Sequence, residues 1–436
     1  MSRLTRPQDV NDAKQPPIAR LLVPPLVRMS DRAAVMSVLL QLIASHAATT
    51  RPQLAQATGL ARSTIGSCLA ELERRGLITS AGADPASNKR GRPAESILIS
   101  PNAGLVLVID LTPHHIGVAM ARLDQQLLAY QRIDFMPEKG PTVTLDAAVA
   151  LARETMHSAG LEESSLRTIV VSFPGPVDVK RGVPVRPPIM PGWDSFPIAA
   201  YMTAEFGCRC HVDNDANLIA LGEARVLPED QCPLLVVKVG TGIGGGLVTA
   251  KGELHHGADG AACDIGHLSV VGATDVICSC GNSGCIEAVA SAEAITKEFR
   301  AATGNPNLTQ SDLRQAARSG DPVAIRLIRD GAARIGRVVA SLVHVYNPAR
   351  IVITGPLTEA TDDLLAGIRS VAYQRALPLA TRNLTLAHSV IGAMGGVVGA
   401  VVLGVESALS PEGLEPQPAK AQGRSDQERS WTDGWD

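Results

Sequence analysis

Four metal-ligating side chains fall within nineteen residues of one another: His267, Cys278, Cys280 and Cys285. No other feature of the 436-residue chain restricts its fold so tightly, because a shared ion would bring all four to one point. One imidazole and three thiolates make a closed tetrahedral zinc site of the Cys3His kind. Gly281 and Gly284 let the loop bend around the ion. No position is left for water, so the expected zinc is structural and not a Lewis acid. The other reading is a set of buried free thiols beside a satisfied histidine. Eight cysteines in a chain of this length do not suggest a disulfide scaffold, and their clustering points to ligation in a reducing cytosol.

Charge is divided unevenly. Residues 1–100 carry 13 Lys/Arg and 7 Asp/Glu, a net of +6, whereas the whole chain has a net of −3. A basic head on an acidic body implies that the head meets a polyanion. Aromatic residues make up only 3% of the chain, which argues against base-stacking platforms. No run of eighteen apolar residues is present, and Met1 to Arg20 lacks an apolar signal core. A cytoplasmic protein without a membrane partner is expected.

Residues 1–28 are rich in Pro, Arg and polar residues and read as a flexible arm. Residues 29–100 read as a winged helix-turn-helix. Asp31 is placed to cap a helix from Arg32, followed by a short helix over Arg51 to Thr58 and a third over Arg62 to Arg75. Leu77–Thr79 and Ile97–Ile99 then form two strands of a wing. The third helix presents Arg62, Ser63, Thr64 and Ser67 to base edges and phosphates, and the wing offers Lys89, Arg90 and Arg92 to a minor groove. A protein-interaction module with a solvated basic loop is the alternative.

Residues 101–409 alternate strands with helices, the pattern of an α/β body, and residues 410–436 read as a disordered tail. Four segments of the body carry chemistry. Phe173-Pro174-Gly175-Pro176-Val177-Asp178 is a tight turn after a strand. Val212-Asp213-Asn214-Asp215-Ala216-Asn217 puts a carboxylate at the mouth of a helix, where it holds or deprotonates a hydroxyl, or else merely caps the helix. Gly240-Thr241-Gly242-Ile243-Gly244-Gly245-Gly246 exposes backbone N–H groups to an anion, or else is an unliganded hairpin. The fourth segment runs from His256-Gly257-Ala258-Asp259-Gly260 through the cysteine loop, about residues 263–287.

With these segments the chain resembles transcriptional regulators of the ROK family (repressor, open reading frame, kinase), over about residues 30–408. The resemblance implies a two-lobed actin-like (ribonuclease-H-like) sugar-kinase fold around a sugar cleft. It implies that Asn214 and Asp215 hold sugar hydroxyls, with Asp215 the base in a kinase. Asp264, His267 and Glu287 would line or support the same site, His267 serving zinc through one nitrogen. Departures are informative. Family kinases open with Asp-x-Gly-Gly-Thr, a phosphate-binding turn; here the stretch is Asp110-Leu111-Thr112-Pro113-His114-His115. Both glycines are lost and a proline stands in the turn, which a backbone approaching phosphates does not tolerate. A later Gly-Gly turn reads Thr354-Gly355-Pro356, and a Gly-Glu reads Cys263-Asp264.

The expected function is a sugar-responsive transcriptional regulator, a repressor working as a homodimer or homotetramer on double-stranded operator DNA. A small sugar or sugar phosphate is its effector, structural zinc is its cofactor, and ATP is not expected. Asp215 would then be vestigial as a base. The alternative is an ATP-dependent, glucokinase-like sugar kinase with a fused DNA-binding head, favoured by Asp215 and the glycine run. A third reading is a constitutive DNA-binding scaffold with a dead sugar site.

Overall fold

The head begins where Asp31 accepts the N–H groups of Ala33 (2.9 Å) and Ala34 (3.3 Å) and starts α1 (Arg32–Ala44). Thr50 and Gln53 form a capping box on α2 (Arg51–Thr58), and Gly59 ends that helix in the left-handed region, φ +69°. In α3 (Arg62–Arg74), Ile65, Cys68, Leu69 and Leu72 recur at helical spacing and are buried. The strands β1 (Ile78–Ala81) and β2 (Ser96–Ile99) pair antiparallel, Ile78 opposite Ile99. This is the winged helix-turn-helix expected. The computed structural model describes residues 15–23, 31–81, 96–135 and 140–415. Lys89, Arg90 and Arg92 lie outside the described residues.

The first lobe of the body contains β3 (Leu105–Leu111), β4 (His115–Arg122), β5 (Leu127–Asp134), α4 (Pro141–Ser158) and β6 (Leu166–Phe173). It continues with the short hairpin β7 (Val177–Asp178) and β8 (Val183–Pro184), α5 (Ile198–Phe206) and β9 (Arg209–Asn214). Its sheet runs β5-β4-β3-β6-β9, antiparallel over the first three strands and parallel from β3 to β9. α6 (Asp215–Val226) leads to the second lobe, which opens with β10 (Leu234–Val239) and β11 (Ile243–Val248). There follow α7 (Ile286–Ala290), α8 (Ala292–Thr303), α9 (Gln310–Arg318), α10 (Pro322–Tyr346) and β12 (Arg350–Thr354). The chain closes with α11 (Asp363–Arg375), α12 (Pro378–Thr381), β13 (Thr385–His388) and α13 (Gly395–Ala408). The second sheet is β11-β10-β12-β13, with only the β10–β11 pair antiparallel. The central parallel strands are apolar runs because helices cover both their faces.

Two helices join the lobes. α6 packs on β10 and β11 of the second sheet, α13 packs on β3 and β6 of the first, and the helices pack on each other. Their backbones nearly touch. A Cβ on Gly222 would stand 2.8 Å from the Gly395 carbonyl oxygen, and one on Gly399 would overlap the Leu218 carbonyl. Glycine is required here for space, not for a special dihedral angle.

Two expectations are corrected, and one open reading is decided. The arm expected over 1–28 is packed from Ala19 onward where it is described: Ala19 and Leu21 are buried in the apolar cluster that also holds the core of α1–α3, whereas Ile18 is exposed. Of the two readings of the run 240–246, the hairpin is the one formed, and the continuous anion loop is not. Ile243–Val248 is strand β11, and a Cβ on Gly246 would lie 2.5 Å from the Ala216 carbonyl oxygen, so this glycine lets α6 lie close on the strand. Only Gly240-Thr241-Gly242 remains as a turn. At the C-terminus, residues 410–415 form turns with Leu414 packed on the core. The rest of the expected tail lies outside the described residues.

Gly399→Ala is expected to lower the unfolding free energy by about 1–3 kcal/mol, because neither helix can withdraw without opening its sheet. Urea denaturation of the two proteins measures it; equal midpoints would remove close helix approach as the reason for the glycine.

Candidate functional site: an interlobe cleft

The C-terminal ends of β3, β6, β9, β10 and β12 converge on one cleft of about 1110 Å³ between the lobes, lined by Asp110, Ser172, Asn214, Lys238 and Thr354 among others. Open α/β sheets bind ligands at such strand ends because the loops there diverge. Strand register makes a polar row: Asp110 lies opposite Ser172, and Ser172 opposite Asp213.

Asn214 is the N-cap of α6. Its Oδ1 accepts from the N–H groups of Ala216 (2.9 Å) and Asn217 (3.4 Å), and its Nδ2 donates to the Gly175 carbonyl at 2.9 Å. The Asn-Asp segment is thereby tied to the Pro174–Pro176 turn across the cleft floor. Asp213, beside it, is almost wholly buried. It accepts from the Asn214 N–H (2.7 Å), from Asn217 Nδ2 (2.9 Å) and from His256 Nε2 (2.8 Å). Sequence reasoning missed Asp213 and His256 as a pair, since 43 positions separate them and nothing local announces the contact. The hydrogen bond to Asp213 holds the His256 imidazole above its ordinary pKa, against the opposing effect of burial.

Asp215 faces the cleft but is not free. Lys238 of β10 pairs with its carboxylate. Burial pulls the Lys238 ammonium down, but the charges of Asp215 and Asp110 and the hydrogen bond to Asp215 raise it above the ordinary lysine value. Lys238 was legible as a lone charge at the end of an apolar strand, a position where a cation usually has a partner.

The Asp110–His115 turn is closed on itself. Thr112 Oγ1 accepts the N–H groups of His114 (3.2 Å) and His115 (3.0 Å), and Pro113 has no N–H. The donors that a glycine-rich turn would aim at a phosphate are spent internally.

At the other wall, Glu287 Oε2 accepts the Ile243 N–H at 3.0 Å, and burial pushes its pKa up, partly offset by that bond and by His267. Asp264, Cys263 and His267 also line the cleft. His267 Nδ1 is 3.6 Å from Cys278 Sγ, and its Nε2 is 4.0 Å from Asp264 Oδ1. His267, Cys278, Cys280 and Cys285 bring one donor atom each within 4.8 Å of one another, with Cys278 and Cys285 buried. This group can hold a metal ion. Cys263 stands apart from it, and burial pushes its thiol up to about 12. Among aromatic residues, Tyr130 lines the cleft, whereas Trp193 is fully buried against Phe173, with ring centroids 5.3 Å apart.

In the head, Arg62, Ser63 and Ser67 are exposed along one side of α3, and Thr64 is half-buried.

Comparison with known proteins agrees with this anatomy. Residues 106–406 match the ROK family, and residues 38–79 match a winged helix-turn-helix DNA-binding family. A glucokinase of Halalkalibacterium halodurans is 32% identical over 274 residues, 60% of this chain and 82% of the relative. An N-acetylglucosamine repressor of Escherichia coli O157:H7 is 26% identical over 374 residues, 84% of this chain and 89% of the relative. A solved ROK family transcriptional regulator, a homologue of the E. coli Mlc protein, superposes with a TM-score of 0.73. It is 24% identical, and the match covers 87% of this chain and 97% of that one. The fold is therefore a winged helix-turn-helix followed by a two-lobed, actin-like ROK domain. No described helix is long and apolar enough to cross a membrane.

The Asp213–His256 pair sets a pH dependence. The folded pKa of His256 lies above its unfolded value of about 6.5, so its stabilisation is fully present below that pH and is lost as pH rises through the folded value. Urea unfolding across that window should show stability falling more steeply in the wild type than in His256→Gln. Parallel curves would sink the assignment.

Proposed function

The chain belongs to the ROK family, and from that premise we propose that it is a sugar-responsive transcriptional regulator whose ROK domain binds its ligand without phosphorylating it. One observation carries this reading: the Asp110–His115 turn consumes its own N–H donors. Phosphoryl transfer depends on positioning and charge stabilisation around the transferred group, and a turn already satisfied by Thr112 offers a phosphate little. The Lys238–Asp215 pair supports it further, because the carboxylate that would receive a sugar hydroxyl already accepts from an ammonium.

In this reading Asn214, Asp215, Asp264, His267 and Glu287 hold the sugar, through hydrogen bonds and with little stacking. The N-acetylglucosamine repressor among the relatives supports a sugar as effector and repression as the sign. The head reads operator DNA through Arg62, Ser63, Thr64 and Ser67, with Lys89, Arg90 and Arg92 of the wing on the phosphates or minor groove. Two heads of a homodimer or homotetramer would meet a pseudo-palindromic site. A sugar weakens binding to the extent that it prefers the lobe arrangement that misplaces those heads.

We assign zinc to His267, Cys278, Cys280 and Cys285. Three thiolates with one imidazole suit a tetrahedral structural ion. Zinc there would fix the loop that carries His267 and leads into Glu287, so the metal shapes one wall of the cleft. Metal analysis should find about one zinc per chain in the wild type and a clear loss in Cys280→Ser. Equal content in both would refute the site.

An operator selected from a random duplex pool tests the switch. Glucose, xylose and N-acetylglucosamine are titrated against the complex, and ADP release is followed with each. At least one sugar should weaken DNA binding by about tenfold, the size of an ordinary allosteric coupling, with ADP release at background. Unchanged affinity across a wide sugar panel would overturn the sensor reading. Turnover that Asp215→Asn abolishes would restore the kinase reading.

A further inference from the structure

We infer that residues 15–23 form a strap that carries the state of the cleft helix α6 to the DNA-reading head. The segment is held by hydrogen bonds at Gln15, Ala19, Arg20 and Leu22. Gln125, in the turn between β4 and β5, accepts the Ala19 N–H at 2.9 Å, and its amide nitrogen donates to the Ala19 carbonyl at 2.9 Å. The same nitrogen lies 3.4 Å from the carbonyl of Ala44, the last residue of α1. One buried side chain thus binds the strap, and the first helix of the head, to the body. Gln125 holds this position with a left-handed backbone, φ +67°.

Beyond Ala19 the strap seats on the C-terminus of α6. The Arg20 N–H donates to the Arg225 carbonyl at 3.0 Å, and its guanidinium donates to the carbonyls of Ala224 (2.9 Å) and Leu227 (2.6 Å) and pairs with Glu229 (2.7 Å). A helix leaves its last carbonyls unpaired and concentrates negative potential there, so a guanidinium is a suitable cap. Leu22 N–H then donates to Glu406 of α13 at 2.6 Å, and the same carboxylate pairs with the nearly buried Arg225 at 3.0 Å. Ala19 and Leu21 share an apolar cluster with α1, α2 and α3 on one side and with Val402 and Val405 of α13 on the other. α1 is correspondingly buried all round from Val35 to Ala44.

The two ends of α6 therefore do different things. Its first residues, Asn214 and Asp215, face the cleft; its last carbonyls hold the strap. A short helix moves as a unit, so a shift at the cleft end displaces Arg20, and through Ala19 and Gln125 it reaches Ala44. This transmission presupposes the regulator reading for its purpose alone.

Hydrogen exchange on the full chain tests it without sugar or DNA, so its failure is distinct from failure of the sugar response. Asn214→Ala removes the α6 cap. It should speed exchange about fivefold, the value of an ordinary cap, at the Ala19, Arg20 and Leu22 amides and in the last turn of α1. With Gln125→Ala added, the α1 response should vanish while the α6 response persists. Gln125→Glu, which keeps the acceptor and loses the donor, serves in its place if the alanine variant does not fold. The strap is overturned if Asn214→Ala leaves α1 exchange unchanged, or if α1 responds equally after Gln125 is replaced.

Discussion

The closest approach of the two crossing helices is the contact on which the rest of the body depends. Gly222 of α6 lies against Gly395 and Gly399 of α13, backbone to backbone. Each helix belongs to a different sheet, so their separation sets the distance between lobes. It also sets the cleft, because α6 begins at Asn214 and Asp215 and α13 begins beside Gly392, Ala393 and Met394, which line the opposite end. Glu223, on the same helix, accepts from Ser389 and from the N–H groups of Val390 (3.3 Å) and Ile391 (3.4 Å), and so holds the loop that leads into α13. Side chains at the glycine positions would push the helices apart and move both walls together.

Around that fixed frame the cleft holds a set of paired charges. Asp110, Lys238 and Asp215 lie close enough for the two carboxylates to raise the ammonium. Thr112 spends its hydroxyl on its own turn. None of this alters the strand order or closes the cavity. Fold and chemistry are separable for a simple reason: a fold rests on apolar strands and helix contacts, whereas transfer chemistry rests on a few donors and a base.

Much of this was legible along the chain. Asp31 with its apolar helix, Pro52 and Gly59 at the ends of α2, the apolar spacing of α3 and the strand stretches at 105–109, 169–173 and 234–239 all follow local rules, because capping and burial periodicity act within a few residues. The glycines at 244–246 leave two readings open in the sequence, because a strand that must admit a helix and a loop that must admit an anion both call for a missing Cβ. α13, with glycine at 395, 396, 399 and 404, gave little helical signal; its glycines make sense only against Ile219, Leu218 and Val106. The segment 15–23 read as loose because its partners, Gln125, Arg225 and Glu406, lie more than a hundred residues away.

By itself, then, the sequence determined the family, the basic head, the cysteine–histidine group and a 110–115 turn with proline and no glycine, since each is a matter of residue type at short spacing. The tertiary structure alone decided that Asp215 is held by Lys238, that Asp213 is held by His256, and that the N-terminal segment is a strap on α6. Those pairings join residues tens to hundreds of positions apart. Their energies come from burial and charge proximity, which exist only once the two sheets have closed on α6 and α13.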